Sequence, residues 1–166
     1  PAEGAMQTAP RGDGHDRSQE PTGMRSAREQ MVAQEIAARG VHDDRVLQAM
    51  RTVPREDFVP ERRRQSAYED HPLPIGHDQT ISQPFIVALM AEAAQIGPVD
   101  VVLEIGTGSG YGAAVLSHLA REVHTVERIP ELAESASVHL QAYSNVEVHT
   151  GDGTLGWPAA APYDAI

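Results

Sequence analysis

Apolar positions along this chain change rhythm twice. Residues 1–23 (PAEGAMQTAPRGDGHDRSQEPTG) show no period at all; Gly, Pro and charge predominate. Such a stretch buries too little apolar area to offset its ordering entropy and reads as a flexible tail. From Met24 onward Met24, Ala27, Met31, Val32 and Ile36 fall on or near one helical stripe, and Gly40 after Arg39 is a helix stop. Asp43 or Asp44 suits the N-cap of a second helix, which carries Val46, Leu47 and Met50 inward and ends before Pro54. Residues 61–68 predict a third, short helix.

Residues 70–84 (DHPLPIGHDQTISQP) hold three prolines and a glycine, which exclude a regular helix or a central strand through most of the segment. A loop of that length is uncommon unless it binds something. Ser82 is placed to cap a helix starting near Pro84, with Phe85, Leu89, Met90 and Ala93 as its apolar face. Beyond Val99 the rhythm becomes strand and helix in alternation: strands at 101–105, 122–127 and 145–150, helices at 112–120 and 130–142, and the first residues of a fourth strand at 163–166. That alternation predicts an α/β fold with a parallel sheet. The chain divides into a tail (1–23), N-terminal helices with a substrate loop (24–97) and a sheet-forming part (98–166).

Length and composition narrow the class. A chain of 166 residues suits one domain and is short for two. No apolar run approaches the roughly 18–20 residues of a membrane span, and the N-terminus has no signal-peptide pattern, although the initial Pro1 leaves a trimmed start open. The lack of cysteine removes disulfides and thiolate chemistry and fits a reducing, cytoplasmic compartment. A net charge of −11 disfavours nucleic acid, and Arg62, Arg63 and Arg64 read as a solvated helix end. His71 and His77, six apart in a loop, match no metal-ligand spacing, so no metal is expected. Trp157 reads as a packing residue.

In such a sheet, ligands bind where the first strand turns into its helix. Gly106, Gly108 and Gly110 remove side chains there, although many strand-to-helix turns carry glycines for geometry alone. Their G-x-G-x-G spacing follows an acid, Glu104. A carboxylate beside a cationic sulfonium is attractive and beside a pyrophosphate repulsive, which favours S-adenosylmethionine over NAD. Glu127, ending the second strand, can take ribose hydroxyls or be a solvated strand-end acid. Asp152, between Gly151 and Gly153, can accept from an adenine amino group or simply cap a turn.

The stretches VLQAMRTVPREDFVP, AYEDHPLPIGHDQTISQPFIVALM, VLEIGTGSGY and GDGTLGWPAAAPYDAI together resemble the protein-L-isoaspartate O-methyltransferase family, from about Met24 to the last residue. TISQP at residues 80–84 is the most specific of these. The resemblance implies a Rossmann-like class I methyltransferase fold with extra N-terminal helices. It implies methyl transfer from S-adenosylmethionine to the α-carboxyl of L-isoaspartyl residues in damaged proteins or peptides, with repair through a succinimide. It assigns Ser82 as the active-site residue, places Glu104, Gly106 and Gly108 on the methionine side and Glu127 on the ribose, and sets Asp152 and Gly153 by the adenine. Thr80, Ile81 and Gly110 join the cofactor-binding set. The full-length protein is expected to be a monomer.

Two features depart from the family pattern. Asp78 stands where the family commonly has glycine, which opens a second reading, an aspartate-modifying methyltransferase acting on a ribosomally made peptide. The sheet is also expected to stop inside its fourth strand with an open edge, as in a fragment or in a non-catalytic remnant that only binds cofactor.

Overall fold

The computed structural model describes residues 22–166. The tail expected at 1–23 lies, but for its last two residues, outside the described residues; Thr22 and Gly23 already belong to the first helix, α1 (Thr22–Met31). The helical rod continues through a wide turn at Val32–Ile36 and a tight one at Ala37–Arg39, and Gly40 ends it at φ 103°. Met31, Val32 and Ile36 are buried and Met24 and Ala27 half-buried, so the predicted stripe is the packed one.

Helix α2 (Asp44–Thr52) begins at Asp43, whose side chain accepts from the Arg45 and Val46 amides at 2.8 and 3.4 Å. Val46, Leu47 and Met50 face the core as expected. Asp43→Ala leaves two first-turn amides without that acceptor and should cost about 1 kcal/mol in urea unfolding. Residues 61–68 prove to be a 3₁₀ turn over Glu61–Ser66 rather than an α-helix.

The segment expected to be irregular is a hairpin. Strand β1 (Leu73–Gly76) pairs antiparallel with β2 (Gln79–Ile81) around a two-residue turn, His77-Asp78. Both turn residues have positive φ, 52° and 55°, as a hairpin turn matching strand twist requires. Pro74 is tolerated because an isolated two-stranded ribbon asks for few ladder bonds, and a register shift falls between Pro74 and Gly76. Asp78, which stands where the family commonly has glycine, sits at this exposed tip.

Helix α3 (Pro84–Ala93) starts at Gln83, and Ser82 does not cap it. Asp70 takes that part from fifteen residues away, its carboxylate accepting from the Phe85 amide at 3.1 Å and from Gln83 Nε2 at 2.6 Å and pairing with Arg39. The predicted apolar face is also largely reversed. Pro84, Ala88 and Ala91 are buried, Phe85 is half-buried, and Leu89, Met90 and Ala93 are exposed.

Strands β3 (Val101–Ile105), β4 (Glu122–Glu127) and β5 (Val146–Thr150) form a parallel sheet in the order β3-β4-β5. Helices α4 (Tyr111–Ser117) and α5 (Pro130–His139) pack on it, and α2 packs on α4. Ala165 bridges Val102 in parallel, with Leu103 N donating to Ala165 O at 3.0 Å. Since β4 already flanks β3, strand order reverses at β3, the place where such sheets open a crevice. Among the described residues no helix is long and apolar enough to cross a membrane.

Candidate active site

After Ile105 the chain turns through Gly106, Thr107, Gly108, Ser109 and Gly110 into α4. The Gly106 and Thr107 amides donate to Val126 O at 2.8 and 3.4 Å, which pins the turn across the end of β4. Gly110 adopts φ 94°, and a Cβ there would lie 2.9 Å from Leu140 Cδ1, so its bareness serves the fit of the turn against the chain after α5. Gly112, outside the G-x-G-x-G count, does more for the site. A Cβ there would run into Glu104 Oε1, so this glycine makes room for the carboxylate.

Glu104 lies inside that turn. Thr125 Oγ1 donates to its Oε2 at 2.6 Å, and Thr107 Oγ1 lies 2.7 Å from Thr125 Oγ1. Burial, opposed by the Thr125 hydrogen bond and reinforced by the charge of Glu127, pushes the Glu104 carboxyl up to about 7. Among the described residues no basic side chain pairs with it. A half-buried carboxylate without a basic partner favours a cation brought in from outside.

Glu127, buried at the end of β4, accepts from the Gly108 amide through Oε2 at 2.9 Å and from the Ile129 amide through Oε1 at 3.0 Å. It thus ties the glycine turn to the start of α5. Thr80, Ile81 and Ser82, leaving β2, meet Glu104, Gly106 and Gly108 around one cavity of about 360 Å³. Helices α3 and α4 wall it, and Ala165 and Ile166 close it from beyond β3.

Gly110, Glu127, Asp152 and Gly153 do not line that cavity. Asp152 is exposed and accepts from the Thr154 amide at 3.0 Å, capping the turn Gly153–Leu155; this hydrogen bond holds its pKa below the usual carboxylate value. Of the two readings its sequence left open, the described residues show the turn cap. Gly153 fits against Ile105, whose Cγ2 would lie 2.6 Å from an added Cβ.

One residue escaped the sequence reading. Arg55 is fully buried, and its Nε donates to Ala67 O at 2.8 Å while Nη2 donates to Ser82 O at 2.8 Å. Its guanidinium carbon lies 4.8 Å from the Tyr111 ring centroid. Arg55 thus holds the backbone of Ser82 over the first residue of α4. The only sequence signal was a basic residue between two positions that bury, Val53 and Phe58.

A parallel sheet with its order reversed at β3, a glycine turn after β3 and an acid ending β4 make a Rossmann-like fold, and its likeness to a solved methyltransferase makes that fold a class I methyltransferase one. Within that class, the chain belongs to the protein-L-isoaspartate(D-aspartate) O-methyltransferase family, whose pattern residues 26–166 match. It is 60% identical over 151 residues to protein-L-isoaspartate O-methyltransferase 1 of Rhodopseudomonas palustris strain HaA2, covering 90% of this chain and 62% of that protein. It is 62% identical to the protein-L-isoaspartate O-methyltransferase of strain ATCC BAA-98 / CGA009, covering 82% and 63%. The chain therefore spans about six tenths of the length of these curated relatives. A solved protein-L-isoaspartate O-methyltransferase superposes with a TM-score of 0.72 at 33% identity, covering 82% of this chain and 45% of that one. A Plasmodium falciparum protein solved in complex with S-adenosyl-L-homocysteine shares the fold, with a TM-score of 0.64 at 22% identity, covering 75% and 62%.

Proposed function

We propose that this chain carries the cofactor pocket and substrate-facing hairpin of an enzyme that methylates the α-carboxyl of L-isoaspartyl residues in damaged proteins or peptides, with S-adenosylmethionine as donor. The observation behind this reading is the meeting of Thr80, Ile81 and Ser82 with Glu104, Gly106 and Gly108 around one cavity. Family membership and the S-adenosyl-L-homocysteine bound to the Plasmodium falciparum relative in fold support it.

The residues fit such a cofactor, because Glu104 is a half-buried carboxylate with no cationic partner among the described residues and the turn beside it is largely bare backbone. Glu104 would hold the cationic methionine end, with Gly106 and Gly108 approaching it closely. Glu127 keeps lone pairs free beyond its two amide bonds and would accept the ribose hydroxyls. Asp152 and Gly153 would lie by the adenine at the same edge of the sheet. When bound, S-adenosylmethionine supplies an electrophilic methyl group on a sulfonium.

The substrate carboxylate is ionised near neutral pH and needs no general base. Its oxygen takes the methyl carbon, and the pair of the breaking carbon–sulfur bond stays on sulfur, so no proton moves. The chain's residues therefore orient and desolvate, effects worth up to about 7–11 kcal/mol in favourable cases. Ser82 is exposed at the cavity and would hydrogen-bond the substrate carboxylate or its backbone, while Arg55 fixes the carbonyl of the same residue. The resulting ester closes to a succinimide, which hydrolyses partly to normal aspartate. The enzyme would work in the cytoplasm and, at full length, as a monomer.

Tritiated methyl transfer, offered an isoaspartyl peptide and its aspartyl twin, tests the reading. Incorporation should be confined to the isoaspartyl peptide and should fall at least tenfold in Ser82→Ala with S-adenosylhomocysteine binding retained. Equal labelling of both peptides would refute the substrate assignment, and unchanged transfer in Ser82→Ala would refute the role of that hydroxyl.

A further inference from the structure

A second group of chemistry-bearing side chains lies on the sheet, away from the cavity. His124 on β4 registers with Glu147 on β5, and His149 stands two residues further along, on the same face as Glu147. His124 Nδ1 lies 3.0 Å from His149 Nε2 and 3.6 Å from Glu147 Oε2. One ligand atom from each of the three lies within 4.8 Å of the others. Two donors of a tetrahedral zinc ion, each bound at about 2.0–2.1 Å, sit about 3.3 Å apart, an edge that the 3.0 and 3.6 Å separations from His124 Nδ1 bracket.

Three neighbours prepare the group. Glu122 Oε1 lies 3.0 Å from His124 Nε2, so it takes that ring proton and leaves the Nδ1 lone pair facing the cluster. A carboxylate behind an imidazole is the usual outer partner of a metal-bound histidine. Trp157 stacks on His149 with ring centroids 4.3 Å apart, and Tyr163 meets His124 edge-on at 5.9 Å, so both imidazoles are held against rotation. The Glu147 side chain is 64% exposed, which gives an ion a way in and leaves room for water as a fourth ligand.

We propose that His124, His149 and Glu147, braced by Glu122, form a binding site for a borderline divalent cation of the zinc class. Two imidazoles and one carboxylate suit zinc or cobalt better than magnesium or calcium, which prefer oxygen. The ion would join β4 to β5. Through the Trp157 stack it would also steady the chain that follows Asp152 and Gly153.

Trp157 is the chain's single tryptophan and reports on this place. Cobalt(II) titrated into the full purified chain, after chelator treatment, should bind once per chain with a visible d–d band and quench Trp157 fluorescence over the same range. Zinc should reverse both signals and raise the melting temperature. Glu147→Gln, an exposed change that leaves the core intact, should weaken cobalt binding at least tenfold, and His149→Asn should abolish the quenching. Glu122→Gln should weaken binding about 10–100-fold, as expected when an outer partner is lost. Binding that leaves Trp157 fluorescence unchanged, equal affinity in Glu147→Gln, or no saturable binding at all would each overturn the site. A direct imidazole–imidazole hydrogen bond would then be the whole account of the pair.

Discussion

Glu104→Gln should stabilise the cofactor-free chain at pH 8 and, in the same protein, weaken its hold on S-adenosylmethionine. The ordinary carboxyl value of 4.5 rises to about 7 in the fold. Between those values the folded chain keeps a proton that the unfolded chain has released, so stability falls as pH rises across this window and is level above about 7. At 1.36 kcal/mol per pH unit the gap amounts to about 3 kcal/mol. A neutral amide removes that slope and can still accept from Thr125 through its oxygen. A bound cation does the opposite, favouring the ionised form, so wild-type affinity should climb as pH approaches 7 from below. Urea unfolding from pH 5 to 8, with calorimetry on both proteins, checks both signs. An unaltered pH slope in the variant would show that the burial of Glu104 is not what shapes it.

Arg55→Met should be the most damaging single change among the residues considered. The methionine keeps much of the stem but strands two carbonyls, Ala67 O and Ser82 O, each buried or half-buried and each now bonded at 2.8 Å. At about 1–3 kcal/mol for each of the two unsatisfied groups the loss is about 2–6 kcal/mol, against a total stability of about 5–15 kcal/mol. Arg55→Lys is the informative companion. It keeps the charge, but one ammonium cannot reproduce the planar fork that spans both acceptors. The lysine variant should fold, as judged by circular dichroism, and still lose methyl transfer, with kcat falling more than KM rises, because the Ser82 backbone is no longer held. A lysine variant with normal kcat would reduce Arg55 to a purely structural role.

Local structure was legible in the residues themselves. Strand β3 follows from a short, mostly apolar run, and β4 and β5 from the alternation of valine with polar residues; β4 spans the expected residues 122–127. The Asp43 cap and the Gly40 stop were legible because each is settled within a few residues by backbone geometry. The hairpin was less legible, since His77-Asp78 is an uncommon pair for a turn with φ positive at both residues and Pro74 argues against a strand. Helix α3 misled because PFIVALMAEA is apolar nearly all round and offers no polar face from which to infer orientation.

Which groups meet was set by packing and strand register. The Thr80–Ser82 chemistry and the glycine turn are more than twenty residues apart, and no periodicity says that they share a cavity. That Asp70 rather than Ser82 serves α3, that Arg55 reaches Ser82, and that His124 meets His149 across β4 and β5 are all consequences of strand register and helix packing. Each of these contacts joins groups that are strangers in sequence, and its strength comes from burial, which a local pattern does not contain. The motifs named the chemistry; packing chose its neighbours.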